Sequence, residues 1–335
     1  MLGRSILKLL TTSKENRDKY ECIGTGLSRA EGSQPPLVKL DLLDSFAINK
    51  LMDQIKPNIV IHCAAERRPD RVSQNPNLAN ALNVTSTGIL AEQCERINAT
   101  IIYISTDYVF DGGIVTNVMP PYYPDSDPSP INEYGKSKWE GEIVARNNCK
   151  KTIIVRVPVL YATDCQDLGE SASLIVAKAL QASSDSTSTG PRKIVKADDW
   201  GLRFPTLVDD VASVVQLLLD AKDDLLVDRG ETQTQSKTQT QSKTKARCFH
   251  VSSTESCTKY QLVKLMGEIM NVDTSHVLAD SEPPEGAVRP KNTQLDCSGT
   301  WEALGMIKPY EFVSLREGMA KALEHFKGTM AMSTS

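Results

Sequence analysis

The front half of the chain alternates short apolar runs with stretches in which apolar residues return every three or four positions. Residues 2 to about 18 predict a helix, with Ile6, Leu7, Leu9 and Leu10 on a broad apolar face. Residues 20–26 and 37–41 predict short strands, and residues 45–55 a helix in which Phe46, Ile48, Leu51, Met52 and Ile55 recur at helical spacing. Residues 58–63 form the strongest strand pattern, apolar on both faces as a parallel strand between two helix layers must be. A helix over 78–97, a strand over 100–105, a helix over 132–148 and a strand over 152–156 follow. Strand–helix–strand alternation of this kind predicts an α/β fold built on a doubly wound parallel sheet.

Beyond Pro158 the pattern is less regular. Helices are expected over 171–182, 208–221, 259–270 and 312–326, with a strand over 248–251. The expected organisation is a nucleotide-binding domain over 1–157 and a smaller α/β substrate lobe drawn mainly from 158–327, some segments returning to the sheet. Residues 232–243 are two copies of Thr-Gln-Thr-Gln-Ser-Lys. With nothing apolar to bury, 232–245 is expected to be a disordered low-complexity insertion, and 328–335 a frayed tail.

Composition narrows the function classes. Of 335 residues, 40% are hydrophobic and 24% charged, enough for a sizeable core. The net charge of −4 argues against a nucleic-acid binder, which needs a basic face. No apolar run approaches the roughly 18 residues of a membrane span, so no membrane partner is expected. The eight cysteines form no Cys-x-x-Cys pair and the four histidines lie in separate regions. Reduced thiols, a cytoplasmic location and no metal site are therefore expected.

The sharpest candidate chemistry lies between 105 and 138. Ser105-Thr106-Asp107-Tyr108 ends a parallel strand, where open α/β sheets bind ligands, and Tyr134-Gly135-Lys136-Ser137-Lys138 opens a helix. Tyr134 and Lys138, four apart, share one helical face. A free tyrosine titrates near pH 10, and a nearby lysine cation favours the phenolate. Thr106 can hydrogen-bond the oxygen of a reacting carbonyl. Proton donor, cation and orienting hydroxyl are what hydride transfer to a ketone requires. His62, on a buried strand, reads as a core histidine, not a base.

These motifs, with Phe110-Asp111-Gly112 and the late Arg289-Pro290-Lys291-Asn292-Thr293-Gln294-Leu295-Asp296, resemble the extended short-chain dehydrogenase/reductase superfamily and, within it, the dTDP-4-dehydrorhamnose reductase family. His62-Cys63-Ala64-Ala65-Glu66-Arg67-Arg68-Pro69-Asp70 and Trp200-Gly201-Leu202-Arg203-Phe204-Pro205-Thr206 are similar to its branch of regulatory beta subunits of methionine adenosyltransferase. The resemblance covers about residues 2–318 apart from the insertion. It implies a Rossmann-like sheet, NADP as cofactor and the catalytic subunit of methionine adenosyltransferase as partner. The alternative it leaves open is an NADPH-dependent reductase of dTDP-4-dehydrorhamnose. By resemblance Thr106, Tyr134 and Lys138 hold the catalytic positions. Leu27, Ser28 and Arg29 match the region that selects the ribose phosphate, and Arg29 could pair a 2′-phosphate. Asp41 and Leu42 match the adenine side, Cys63, Ala64 and Arg67 the strand end lining the cofactor, and Leu160 a later contact. Tyr134 and Lys138 count among the cofactor contacts as well. The tail departs from the pattern by which the family's regulatory subunits engage their partner, having no aromatics after Phe326 and little charge.

A Rossmann-like fold begins with a strand and a glycine-rich turn. Here Leu2-Gly3-Arg4 aligns with the last glycine of that turn, so Gly3 is a candidate cofactor contact and the sheet is expected to lack its first strand. Removing an internal strand leaves two facing rows of backbone groups to satisfy. The expectation is that Met1 is an internal methionine of a longer chain; the other reading is a chain with weak or no cofactor binding.

Overall fold

Leu2, Ile6 and Leu10 fall about a turn apart and form the buried side of α1 (Leu2–Thr12). The helix stops at Ser13, whose extended backbone and hydroxyl, accepting from the Asn16 N–H at 3.0 Å, start a second helix, α2 (Lys14–Lys19). The one helix expected to run to about residue 18 is therefore two, divided by a serine cap. The computed structural model describes residues 1–27, 37–181, 194–226 and 247–326. The low-complexity insertion at 232–245 and the tail at 328–335 lie outside the described residues.

Two short strands, β1 (Thr25–Gly26) and β2 (Val38–Lys39), pair in parallel. The pairing is shorter than the 20–26 and 37–41 patterns predict: the Gly24 carbonyl still accepts from the Val38 N–H at 2.9 Å, but among the described residues 20–23 pair with no strand. Asp44 caps α3 (Ser45–Ile55), which leads to β3 (Ile59–His62). Then come α4 (Pro69–Gln74), α5 (Pro76–Asn80) and α6 (Ser86–Arg96). A wide π-helical turn, Ala81–Thr85, joins the last two, so the helix expected over 78–97 carries a bulge at its middle.

Two central elements follow, the strand β4 (Thr100–Thr106) and the helix α7 (Glu133–Asn148). After them run β5 (Thr152–Val157), β6 (Leu160–Tyr161), α8 (Lys178–Gln181), β7 (Val195–Asp198), β8 (Thr206–Leu207), α9 (Val208–Asp220) and α10 (Lys222–Leu226). The chain ends on β9 (Arg247–His250), α11 (Lys259–Met270), β10 (Val277–Asp280), α12 (Ser298–Ala303) and α13 (Leu315–Leu323). In place of the helix predicted at 171–182, a 3-10 turn, Leu174–Ala177, runs into the short α8, and α13 begins at Leu315, capped by Ser314.

The main sheet is parallel throughout, in the order β3-β4-β5-β9. β4 and β5 are buried along their whole length. Pairs β1-β2, β6-β8 and β7-β10 form separate small sheets. One apolar layer packs α1, α9 and α13 on one face, and a second packs Ile48 and Met52 of α3 with Leu90 and Cys94 of α6 on the other. This is the doubly wound Rossmann-like sheet, in two pieces where its first strand was expected to be missing. All eight cysteines carry free thiols.

Behind the sheet's working end, Arg156 of β5 and Glu142 of α7 form a buried two-pronged pair, Nε to Oε1 and Nη2 to Oε2 both at 2.9 Å. The Ser105 hydroxyl donates to the same carboxylate at 2.6 Å. The network fixes α7 against β4 and β5, and so fixes what α7 carries.

Candidate functional site

A cleft of about 2960 Å³ opens at the carboxyl ends of β3, β4 and β5. Gly3, Leu27, Asp41, Leu42, Cys63, Ala64, Arg67, Thr106, Tyr134, Lys138 and Leu160 all line it. Ser28 and Arg29 lie outside the described residues. The candidates come from seven separate parts of the chain, and the fold brings every described one to a single cavity.

α1 enters from one side. No side chain caps its start, and Gly3 in its first turn packs against Cys63, with 3.5 Å between the Cys63 Cβ and the place a Cβ on Gly3 would take. Arg4 grips Asp164 with two hydrogen bonds, Nε at 3.0 Å and Nη2 at 2.9 Å, and holds the helix end over the cleft. Burial pushes the Cys63 thiol up to about 12, so it is no nucleophile at neutral pH.

α7 enters from the other side. Asn132 caps it, accepting from the Gly135 N–H at 2.8 Å while its amide donates to the Val288 carbonyl at 2.8 Å. Gly135 is required here. A Cβ on it would lie 2.1 Å from the Tyr108 carbonyl oxygen, so any other residue would force the helix off the Asp107–Val109 turn. This close seating places Tyr134 beside Thr106. Thr106 ends β4, donates to Asp107 at 3.0 Å and accepts from the Tyr108 N–H at 3.2 Å.

The electrostatics differ from the simple expectation of a phenol acidified by a lysine. Burial raises the Tyr134 phenol, and this outweighs the lowering by its hydrogen bond with Thr106 and by Arg67. The Lys138 ammonium sits 3.9 Å from the centroid of the Tyr103 ring, and burial lowers its pKa to about 7. Asp107 is pushed up to about 6 by burial, against hydrogen bonds from Thr293 and Thr106.

His62 is a core residue, as its strand position predicts. Its Nε2 lies 3.0 Å from the Thr87 hydroxyl, which gives its own hydrogen to the Asn83 carbonyl, so Nε2 is the donor. Burial lowers its pKa to about 3.

Asn83 escapes sequence reasoning. It lies in the π-helical turn, fully buried. Its Oδ1 accepts from the Glu66 N–H at 2.9 Å, and its Nδ2 donates to the Glu66 carbonyl and the Ser137 hydroxyl, both at 3.0 Å. It thus ties the loop after β3 to α7, the two walls that carry Arg67 and Lys138. The only available signal is a polar residue set between Leu82 and Val84 in a helical pattern. Arg203, buried with 5.9 Å from its guanidinium carbon to the Tyr108 ring centroid, also lines the cleft and was noted only within a motif.

Residues 2–327 match the family model described as the RmlD substrate binding domain. The chain belongs to this family. Among RmlD-family relatives, a Xenopus tropicalis protein named methionine adenosyltransferase 2 subunit beta is 38% identical over 95% of this chain and 84% of its own. The Mus musculus protein of the same name is 37% identical over 97% of this chain and 85% of its own. Among solved structures, dTDP-4-dehydrorhamnose reductase from Bacillus anthracis, in complex with NADP, superposes with a TM-score of 0.70. It is 22% identical, with 97% of this chain and 94% of that one covered, and it establishes the shared fold. Among the described residues no cluster could hold a metal ion, and no helix is long and apolar enough to cross a membrane.

Proposed function

We propose that this RmlD-family chain is an NADP-binding regulatory subunit of methionine adenosyltransferase, modulating S-adenosylmethionine synthesis in the cytoplasm. The observation that carries the reading is the 38% identity, across nearly the whole chain, to relatives named as the beta subunit of that enzyme. Free thiols throughout are in keeping with a reducing compartment.

The cleft suits a dinucleotide. The uncapped N-terminus of α1, with Gly3 in its first turn, offers backbone N–H groups to a pyrophosphate. Leu27, Asp41 and Leu42 would face the adenosine half; Cys63, Ala64, Arg67 and Leu160 would line the middle; Tyr134 and Lys138 would hold the nicotinamide ribose. The RmlD-family structure crystallised with NADP supports the choice of nucleotide. The 1–157 segment would supply most of this site, and 158–327 most of the opposite lobe.

The second reading is a reductase of a nucleotide-linked keto-sugar, favoured by Thr106, Tyr134 and Lys138 lining one cleft. Bound NADPH would supply a hydride. Tyr134 would donate the proton and Thr106 would orient the carbonyl oxygen.

Capture with the purified catalytic subunit of methionine adenosyltransferase is expected to give a stable complex that changes its rate of S-adenosylmethionine formation. Absence of a complex removes the regulatory reading. NADPH oxidation dependent on dTDP-4-dehydrorhamnose would instead establish the reductase.

A further inference from the structure

Residues 112–124, between β4 and α7, carry no charged side chain. Ile114, Val115, Val118, Met119 and Tyr123 all stand in solvent, Val115 at 68% exposure and Met119 at 71%. None of residues 109–133 lines the cleft, so this apolar loop has no part in the site described above. Exposed apolar groups gathered in one place mark an interaction surface more often than scattered ones do.

The loop is held on a built frame. The buried Asp111 carboxylate accepts from the N–H groups of Gly113 at 3.0 Å, Val115 at 2.9 Å and Thr116 at 2.6 Å. It accepts also from the hydroxyls of Thr116 at 2.9 Å and Tyr122 at 3.0 Å. The Tyr122 ring stacks on Phe110, with 4.2 Å between centroids, and the Tyr122 backbone bonds to Gln294 and Asp296, both at 2.8 Å. Gly113, at φ 78°, lets the chain double back, and a Cβ there would lie 3.1 Å from the Met119 sulfur. The ends of the 113–119 turn therefore meet, and its apolar side chains form a single patch.

The charge beside the patch is negative. Asp125 and Asp127 follow it, both exposed, and neither forms an ion pair among the described residues. The cations on neighbouring segments are engaged elsewhere. Lys136 pairs with Glu133 at 2.8 Å, Arg289 pairs with Asp70 at 2.7 Å, and the Lys291 ammonium lies over the Trp200 ring.

We propose that residues 112–123 are a protein-docking surface, fitting a partner that offers an apolar pocket to Val115 and Met119 and lysine or arginine on its rim to Asp125 and Asp127. A loop already held in shape loses little freedom on binding, and methionine adapts to the pocket it enters. Charge selects the partner. A second copy seated on the same patch would set carboxylates against carboxylates, and an anionic lipid surface would meet the same repulsion. The partner is the catalytic subunit of methionine adenosyltransferase, an assignment that rests on the regulatory reading above.

The purified catalytic subunit is titrated with the full chain, with Val115→Ser plus Met119→Ser, with Asp125→Asn plus Asp127→Asn, and with Ile307→Ser, a fully exposed site on another segment. The unaltered chain is expected to bind, and the apolar double variant about 30-fold or more weaker. The carboxamide variant is expected to associate about threefold or more slowly, with a shallower dependence on salt, and Ile307→Ser to match the unaltered chain. All are expected to keep the thermal midpoint to about 2 °C, because the changed side chains face solvent. Val115→Ser and Met119→Ser singly, each about fivefold weaker, carry the same test if the double variant unfolds. Equal affinity of the apolar variants overturns this inference and leaves the regulatory reading standing; unchanged association of the carboxamide variant overturns the basic rim. No complex with the unaltered chain overturns both readings. Dimerisation of the unaltered chain in sedimentation, lost in the apolar variant, makes a second copy the occupant and overturns the proposal as well.

Discussion

The ammonium of Lys138 lies 3.9 Å from the centroid of the Tyr103 ring, and both side chains are buried. A cation on an aromatic face recovers part of the solvation it has lost. The recovery is partial, and burial still lowers the Lys138 pKa to about 7.

Stability should therefore rise with pH above neutrality on account of this residue. The unfolded lysine keeps its proton to about pH 10.4, whereas the folded one releases it near pH 7, so between those values the unfolded state binds more protons. Lys138→Met is expected to remove that rise, on the order of 5 kcal/mol across the span. Urea unfolding of both proteins at a series of pH values measures it; parallel curves would contradict the assignment.

Asn83→Ala strips partners from both the N–H and the carbonyl of Glu66. A loss of about 2–4 kcal/mol is expected in denaturant titration, because buried polar groups are left unsatisfied. Nucleotide affinity should fall with it, since the loop carrying Arg67 loses its tie to α7.

Gly135→Ala is the smallest possible change and is expected to be a costly one. With a Cβ 2.1 Å from the Tyr108 oxygen, α7 must shift. A destabilisation of about 2–3 kcal/mol is expected, as for overpacking elsewhere. Gly299, where no atom lies within 4 Å of an added Cβ, serves as the control, and Gly299→Ala should be close to neutral.

The Glu142–Arg156 pair is expected to behave as a unit. Glu142→Leu alone leaves a buried guanidinium unpaired and should cost about 3–5 kcal/mol. Glu142→Leu with Arg156→Met should cost less than either single change. Equal or additive losses, read from thermal unfolding, would mean that the two charges are not coupled.

Much of this was legible in residue patterns. Helices α3 and α11 begin and end at the residues predicted for them, and the structure shows Asp44 and Thr258 capping their starts. The β-rich runs at 58–63, 100–105 and 152–156 became neighbouring parallel strands, because only buried strands need apolar residues on both faces. Elements whose limits depend on distant partners were harder to place. The run at 20–26 reads as a full strand, but pairing needs a neighbour that periodicity cannot report. Ser13 divides a helix, and residues 14–19 carry no apolar residue by which periodicity could mark the break. In the site, Tyr134, Lys138 and Thr106 were visible because motif and strand end coincide. Asn83 was not, because its role comes from a backbone bulge that brings the loop after β3 and helix α7 within reach of one amide.

The pairing of β5 with β9 sets a schedule for the chain's birth. Ile153 to Arg156 find their partners in Arg247 to His250, about ninety residues further along the chain. At ribosomal rates of about 5–20 residues per second, the far edge of β5 waits roughly five to twenty seconds for its neighbour to be made. Throughout that interval a ribbon of isoleucine and valine stands open beside the exit tunnel. A segment lengthened between these two strands would extend that exposure without altering a contact of either one.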